Sequence, residues 1–534
     1  MEKISKIVIV GGGSAGWMTA ASLVKNFPNI DITLVESSDI PTIGVGESTL
    51  VDINVYLEDL GLEDKDWMKF CNATYKTSID FTNWDGQGTR VRYPFGYPNY
   101  LGSRFSSVDW FIRKALIGDQ KNTYHWFALG TGSMIEHNKL TKSEDRINNW
   151  NFKRDTAYHL DSGLFGEYLK KRYCIPKGVI HIIDKVVSCP VDSSGNISKV
   201  ETESNGSLNA DLFIDCSGFY SLLLDKTMEE PFISFKDVLI NDKAVAMRIP
   251  YVNKEKEMEH TTNATTLSSG WVWNTPLWDR IGTGYVYSSK FLSKEEAEKE
   301  FKEYLINSRD VPHSREEIES IGVLHVDINT GIHERAWVKN VCAIGLSNGF
   351  IEPLESTGLM LTHNTIFALV QALQSRDTRV NGWDKTIFNK KVRTHMQKFS
   401  GFIAAHFAFC ERDDTAYWKY VTDTIDYGAL ESKEWYALQL VSDNLTIDRN
   451  WDTFDNISGV PFIMAGMGFN PLTEDIIRKS YGIGAGKLKG TVPWDNSIEL
   501  TTYVNDYYDG IEEYIHSLDS HYKFLNSTIY KEIQ

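Results

Sequence analysis

The chain has 534 residues, with 55 Lys and Arg against 72 Asp and Glu for a formal net charge of −17, and 42% of its positions are hydrophobic. This composition excludes a disordered tail and speaks against a nucleic-acid binder, leaving the acidic balance a role in solubility. The length allows about three domain-sized units or one large α/β body. Six cysteines (Cys71, Cys174, Cys189, Cys216, Cys342, Cys410) are scattered without a C-x-x-C pair, so neither a zinc site nor a disulfide framework is predicted, and a reducing cytoplasm fits. The opening run Met1–Val10 enters glycines without the longer apolar region of a signal peptide. No apolar run reaches the ~20 residues that cross a bilayer, so no membrane partner is expected.

Lys6–Val10 reads as a buried strand of β-branched residues, followed by Gly11-Gly12-Gly13-Ser14-Ala15-Gly16 and a helix over Trp17–Lys25. This is Gly-x-Gly-x-x-Gly in the strand–turn–helix context that it requires. Gly11 permits the tight turn, Gly13 lets a pyrophosphate approach the helix N-terminus, and Gly16 lets the helix pack on the strand. A second strand, Asp31–Val35, ends in Glu36, where a carboxylate can accept hydrogen bonds from a ribose. FAD and NAD share this fingerprint. Two later apolar runs, Asp211–Gly218 and Val341–Leu346, read as strands returning to the first sheet after inserted segments, a layout that favours FAD. With one fingerprint in the chain, there is no obvious second site for NAD(P)H.

Between these strands, Tyr75-Lys76-Thr77-Ser78-Ile79-Asp80-Phe81-Thr82-Asn83-Trp84 sets a lysine among apolar and aromatic neighbours. One lysine among many is ordinarily a solvated surface charge, but desolvation in this neighbourhood would lower its pKa and fit it for acid–base or nucleophilic chemistry. In Gly270-Trp271-Val272-Trp273-Asn274-Thr275-Pro276 the two tryptophans would share one face of a strand, and a core aromatic pair would show the same spacing. Asn348–Leu359 reads as a helix start that Ser356 or Thr357 can cap. Glu352, ahead of a proline, reads as structural. Helical stretches follow, including Thr394–Ala408 and a terminal helix over Glu512–Ile533. His395 and His406 form no metal motif and read as packed or solvated. Tyr481–Leu488 lacks the first Gly and last Ser/Thr of a phosphate loop and reads as a plain loop.

Trp-x-Trp-x-x-Pro after a flavin fingerprint resembles the signature of flavin-dependent halogenases, especially the tryptophan-halogenase type. Ile43-Gly44-Val45-Gly46-Glu47-Ser48-Thr49 looks like the family's flavin strap, Gly282–Ser289 follows the Trp motif as in the family, and Arg412–Trp418 looks like a C-terminal family motif. The resemblance implies an α/β, Rossmann-like flavoprotein monooxygenase fold with a mixed-sheet insertion over residues 1–385, and a mainly helical region over 386–534. It implies Lys76, Glu355 and Ser356 as catalytic residues and a halide near Thr357 and Gly358, where N–H groups opening a helix can hold a monovalent anion without a metal. It further implies FAD, used as FADH2, held by Gly11, Gly12, Gly13, Ala15, Gly16, Glu36, Ser38, Gly44, Gly46, Glu47, Leu346 and Leu359, and Trp271, Trp273 and Pro276 as the signature that keeps substrate from flavin.

Reduced flavin and O2 would oxidise chloride, bromide or iodide to hypohalous acid, which would travel inside the protein to Lys76 and halogenate an electron-rich ring, with Glu355 orienting the electrophile or helping to remove the ring proton. A separate flavin reductase is the implied partner, and a homo-oligomer stays open. The tryptophan-specific members use a His-x-Phe-Gly segment where this chain has Tyr93-Pro94-Phe95-Gly96, keeping Phe95 as a substrate residue. Their Trp- and Asn-rich segment has Phe454–Pro461 in its place, and Thr275 replaces a usual Ile. The expected substrate is therefore an indole or phenol rather than free tryptophan. The alternative is a flavin-dependent aromatic monooxygenase; a non-catalytic flavoprotein is a further rival that nothing in the sequence requires.

Overall fold

A computed structural model describes residues 2–39, 44–98, 110, 111, 114, 115, 124–307, 309, 311–427, 459–470, 472, 473 and 497–531. A six-stranded sheet runs in the order Trp337–Val338, Val341–Ala343, Leu212–Asp215, Lys6–Val10, Asp31–Glu36, Ile180–Ile183. All its neighbours are parallel except the first pair. The two returning runs thus pair where the sequence places them, with Leu212 opposite Ile7 and Phe213 opposite Val341. Buried on both faces, these strands are near-continuous apolar runs, as a covered parallel sheet requires.

The helix Ser14–Asn26 covers one face and packs against the later helix Thr357–Gln374, so the fingerprint and the Asn348–Leu359 segment lie side by side. Gly11 has φ +112°, and a Cβ there would lie 2.2 Å from the carbonyl oxygen of Cys216; one at Gly16 would lie 2.0 Å from the carbonyl oxygen of Gly11. Gly11→Ala is expected to lower the unfolding free energy by about 2–4 kcal/mol, read by urea denaturation, because it adds left-handed strain to a backbone clash.

The inserted segment builds a seven-stranded mixed sheet in the order Leu324–Asp327, Lys243–Ile249, Ile281–Tyr287, Gly270–Pro276, Thr261–Leu267, Ser78–Thr82, Arg90–Pro94. A three-stranded sheet, Glu47–Ser48, Ala157–Leu160, Thr74–Lys76, stands beside it. The chain passes from one sheet to the other at Thr77, whose N–H donates to the His260 carbonyl at 2.8 Å.

Toward the C-terminus, the helix Gly382–Phe409 contains the predicted Thr394–Ala408 stretch. It starts earlier because Asn381 accepts from the N–H groups of Trp383 and Asp384 while Asp384 reciprocates. The predicted terminal helix over Glu512–Ile533 is corrected. Two helices, Ser497–Ser517 and His521–Thr528, meet at a break where Ser520 caps the second by accepting from the Lys523 N–H. The Phe454–Ser458 part of the expected recognition segment and the Tyr481–Leu488 loop lie outside the described residues.

Candidate active site

At the C-terminal edge of the parallel sheet, the helix Ser14–Asn26 begins at Gly13 with no side-chain cap, and nothing lies within 4 Å of where a Gly13 Cβ would stand. The helix start thus has no side-chain cap and open space at Gly13, as a pyrophosphate site needs. Glu36 leans over Gly12 and accepts from His181 Nε2 at 2.7 Å and Lys170 Nζ at 3.2 Å. Ser38 is exposed one turn beyond the strand. Gly345, at φ +73°, brings its backbone against Ala15 and leaves Leu346 partly exposed beside the fingerprint, while Leu359 is buried in the facing helix. Gly44 is held by Arg248, which donates to its carbonyl, and Gly46 (φ +144°) abuts Leu277 and Gly282. Glu47 pairs in register with Leu160. Burial, and secondarily the nearby Asp161 carboxylate, push its pKa up to about 7. These residues form one corner that fits a dinucleotide.

Lys76 is fully buried at the end of the strand Thr74–Lys76, opposite Ala157. Strand alternation sends Tyr75 to the other face, where its hydroxyl donates to Asp64 at 2.7 Å. The Lys76 Nζ donates to the Thr49 carbonyl at 3.0 Å and to Ser356 Oγ at 2.9 Å, and lies 5.0 Å from the centroid of the Phe95 ring. Burial pulls its pKa down to about 7, against the opposing pull of the Glu355 and Asp80 carboxylates. The two hydrogen bonds match the two N–H groups of a neutral amine, so its lone pair, or the third proton of the ammonium, is left for a ligand.

A directed chain of hydrogen bonds leads away from that amine. Ser356 donates to Ser48 at 3.0 Å, Ser48 and Thr262 are 2.6 Å apart, and Thr262 lies 2.8 Å from His159 Nε2. His159 Nδ1 lies 3.2 Å from the Thr74 hydroxyl, which donates to the Pro276 carbonyl at 2.6 Å. Because Thr74 spends its hydrogen on Pro276, His159 donates from Nδ1 and accepts at Nε2; burial, holding its pKa well below 6.5, keeps it in that neutral form. Every donor in the chain then points the same way, from Lys76 to Pro276. Ser48 and Pro276, from two separate segments of the chain, are thus tied to the lysine.

The Asn348–Leu359 segment meets Lys76 from the opposite side, 280 residues away in sequence at Ser356. Ser356 adopts φ +58° between the turn Pro353–Glu355 and the helix Thr357–Gln374, and its side chain makes no capping bond. The capping reading for Ser356 is therefore corrected: the hydroxyl is spent on Lys76 and Ser48. Beside it, Thr357 Oγ1 is buried with no hydrogen-bond partner, and nothing lies within 4 Å of where a Gly358 Cβ would stand. An orphaned hydroxyl and an open space at an 18-residue helix start fit a small anion.

Glu355 is buried, and its Oε1 lies 2.7 Å from His406 Nε2. The other ring nitrogen, Nδ1, is 2.9 Å from the Phe402 carbonyl, which can only accept, so Nδ1 carries a hydrogen. The 2.7 Å contact then needs one more proton, shared between Nε2 and the carboxylate. Reading His406 as packed or solvated missed this partnership. The available signal is a polar residue on the buried stripe Phe402–Phe407 of its helix.

Trp271 and Trp273 lie together on Gly270–Pro276 with ring centroids 6.4 Å apart. The Trp271 Nε1 donates to Glu352 at 2.5 Å, and Asn241 donates to the same oxygen at 2.8 Å. Glu352 therefore supports the signature motif, with burial pushing its pKa up to about 7. Tyr417 of the C-terminal motif donates to Asn241 at 3.0 Å, while Trp418 and Arg412 bond to the strand Thr261–Leu267.

A model of the tryptophan halogenase family matches residues 6–480. The chain is 35% identical over 437 residues to tryptophan 6-halogenase SttH of Streptomyces toxytricini, spanning 78% of this chain and 80% of that protein. It is 36% identical over 433 residues to tryptophan 7-halogenase RebH of Lentzea aerocolonigenes, spanning 78% of each. Among solved structures, the apo structure of VirX1 superposes with a TM-score of 0.88 at 38% identity, covering 99% of this chain and all of that one. The crystal structure of SttH gives 0.80 at 31% identity, covering 98% of this chain and all of that one.

Proposed function

Since the chain belongs to the tryptophan-halogenase family and is an FADH2-dependent halogenase, we propose that Lys76 receives hypohalous acid made at the flavin and places the halogen on an electron-rich indole or phenol rather than on free tryptophan. Bound reduced FAD, with O2, supplies the oxidation of halide. The glycine turn and Glu36 would hold its pyrophosphate and ribose, and Gly44 to Glu47 would lie along it. A separate flavin reductase would supply the reduced cofactor. The observation that carries the reading is Lys76: a buried amine with a pKa near 7, fixed by two hydrogen bonds beside Phe95 and facing the helix start at Ser356.

Neutral Lys76 offers a lone pair to the halogen of hypohalous acid, which leaves a haloamine and water. Protonated Lys76 donates to the hydroxyl oxygen and eases its departure. In either form the halogen is held at one point against the substrate ring. Glu355, backed by His406, takes the proton that the ring loses on substitution. Thr357 and the amides at Gly358 would hold the halide before its oxidation. Gly358→Ala puts a Cβ into that space with no atom within 4 Å of it, so the apparent KM for bromide should rise about tenfold with flavin binding unchanged, as measured by bromide titration of product formation.

Tyr93 supports the substrate reading. It stands where tryptophan-specific members use His, and its ring stacks on Phe462 at 5.1 Å between centroids, packing the wall instead of presenting a ring nitrogen. The test is mass spectrometry of product from enzyme, FAD, a flavin reductase, NADH and O2 with catalase present. Chloride, bromide and iodide are offered separately to indoles, phenols and free tryptophan. Halogenated indole or phenol supports the proposal; a regiospecific halotryptophan as main product overturns the substrate class, and halide-independent oxygenated product overturns the halogen transfer.

A further inference from the structure

Away from this site, three potential ligand atoms converge where the helix Ser497–Ser517 meets the helix Gly132–Glu136. Glu512 and His516 lie one turn apart on the same helix face, and His137 follows the end of the other helix. Glu512 Oε1 is 2.8 Å from His137 Nε2 and 3.1 Å from His516 Nε2, and all three atoms lie within 4.8 Å of one another. The second carboxylate oxygen of Glu512 accepts from Ser133 Oγ at 2.7 Å, which fixes the carboxylate's orientation from outside the cluster. Zinc bonds of ~2.0–2.2 Å would separate tetrahedral ligand atoms by roughly 3.3–3.6 Å, so each of the two carboxylate–imidazole contacts has to open by less than about 1 Å to admit the ion. All three side chains are partly open to solvent, which gives an ion a path in.

We propose that His137, Glu512 and His516 form a binding site for a divalent transition metal of the zinc class, which clasps the helix Ser497–Ser517 to the 124–150 segment. Two imidazoles and one carboxylate suit zinc and disfavour magnesium or calcium, which take oxygen ligands. Each imidazole gives its Nε2 lone pair, and the ring hydrogen moves to Nδ1 or to solvent; water completes the coordination. The clasp reinforces contacts already present. Tyr508 donates to the carbonyls of Trp126 and Leu129 at 2.6 and 3.1 Å, and Lys139 donates to the Leu518 carbonyl at 2.7 Å. Tyr124 of the clasped segment meets Phe462 at 4.8 Å, and Phe462 is the ring that stacks on Tyr93. The metal would therefore steady an aromatic wall two residues from Phe95.

The test uses the tag-free full chain, stripped with a chelator and titrated with Zn2+ against a chromophoric zinc indicator, with hydrogen exchange followed over residues 497–517. One zinc per chain, slower exchange in that helix, and at least tenfold weaker binding in both His137→Ala and His516→Ala are expected, with flavin retention showing that the variants are folded. Equal zinc binding by the double variant, or no zinc bound by the wild type, would overturn the proposal. So would Mg2+ binding as tightly as Zn2+.

Discussion

Lys76→Met should lose about 10³-fold in halogenated product while becoming more stable than the wild type. The loss follows from removing the group that holds the halogen, a contribution of the size associated with acid–base or nucleophilic catalysis. The gain follows from burial. The Lys76 pKa is about 7 in the folded protein against an ordinary 10.5, so between those values the unfolded chain binds the proton more tightly. Wild-type stability therefore falls as pH drops from about 10.5 through 7, and the charging penalty is at full size below that. Methionine fills similar volume without charge but leaves Thr49 and Ser356 without their donor, so a net gain of about 1–3 kcal/mol at pH 7 is expected, shrinking toward pH 10. Chemical denaturation at the two pH values reads the difference; an equal effect at both would count against a depressed lysine.

His406→Leu is expected to cost about 3–5 kcal/mol and to cut turnover by about 10²-fold. It leaves Glu355 buried without the partner now 2.7 Å away, the situation in which breaking one half of a buried pair is most damaging. His406→Gln separates the two effects. Its amide N–H can again donate to Glu355, restoring most of the stability, but cannot share a proton, so turnover stays low. Full activity in His406→Gln would show that the histidine only positions the carboxylate. Stability in His406→Leu equal to the wild type would contradict the pairing itself.

The parts of the fold legible in sequence are those written in local pattern. Gly11, Gly13 and Gly16 announce a backbone turn that tolerates no Cβ at Gly11 or Gly16, and the apolar runs ending at Asp215 and Ala343 announce buried parallel strands. Lys76 and Ser356 stood out separately; their 2.9 Å contact became foreseeable only through resemblance, because no periodicity links residues 280 apart. The chain through His159 was not legible, and the Glu355–His406 pair left only the faint signal of a polar residue in an apolar stripe. Each depends on which face of which element meets another, and His406 looks like any histidine in an apolar stripe until the turn carrying Glu355 is laid against it. The break between Ser517 and His521 was missed for a smaller reason: Ser520 is a capping residue within a continuous helical pattern, and the cap won.

The claim at the centre of this account is that the oxidised halogen reaches Lys76 inside the protein. The most direct measurement is the yield of brominated indole, with catalase present, as methionine is raised in the buffer to scavenge hypobromous acid from solution. Internal delivery predicts a yield that does not change with methionine in the wild type, and in Lys76→Ala a near-absence of product together with methionine sulfoxide formed in step with halide oxidation. A wild-type yield that falls steadily as methionine rises would contradict the account, because the reagent would then be free hypobromous acid in bulk water.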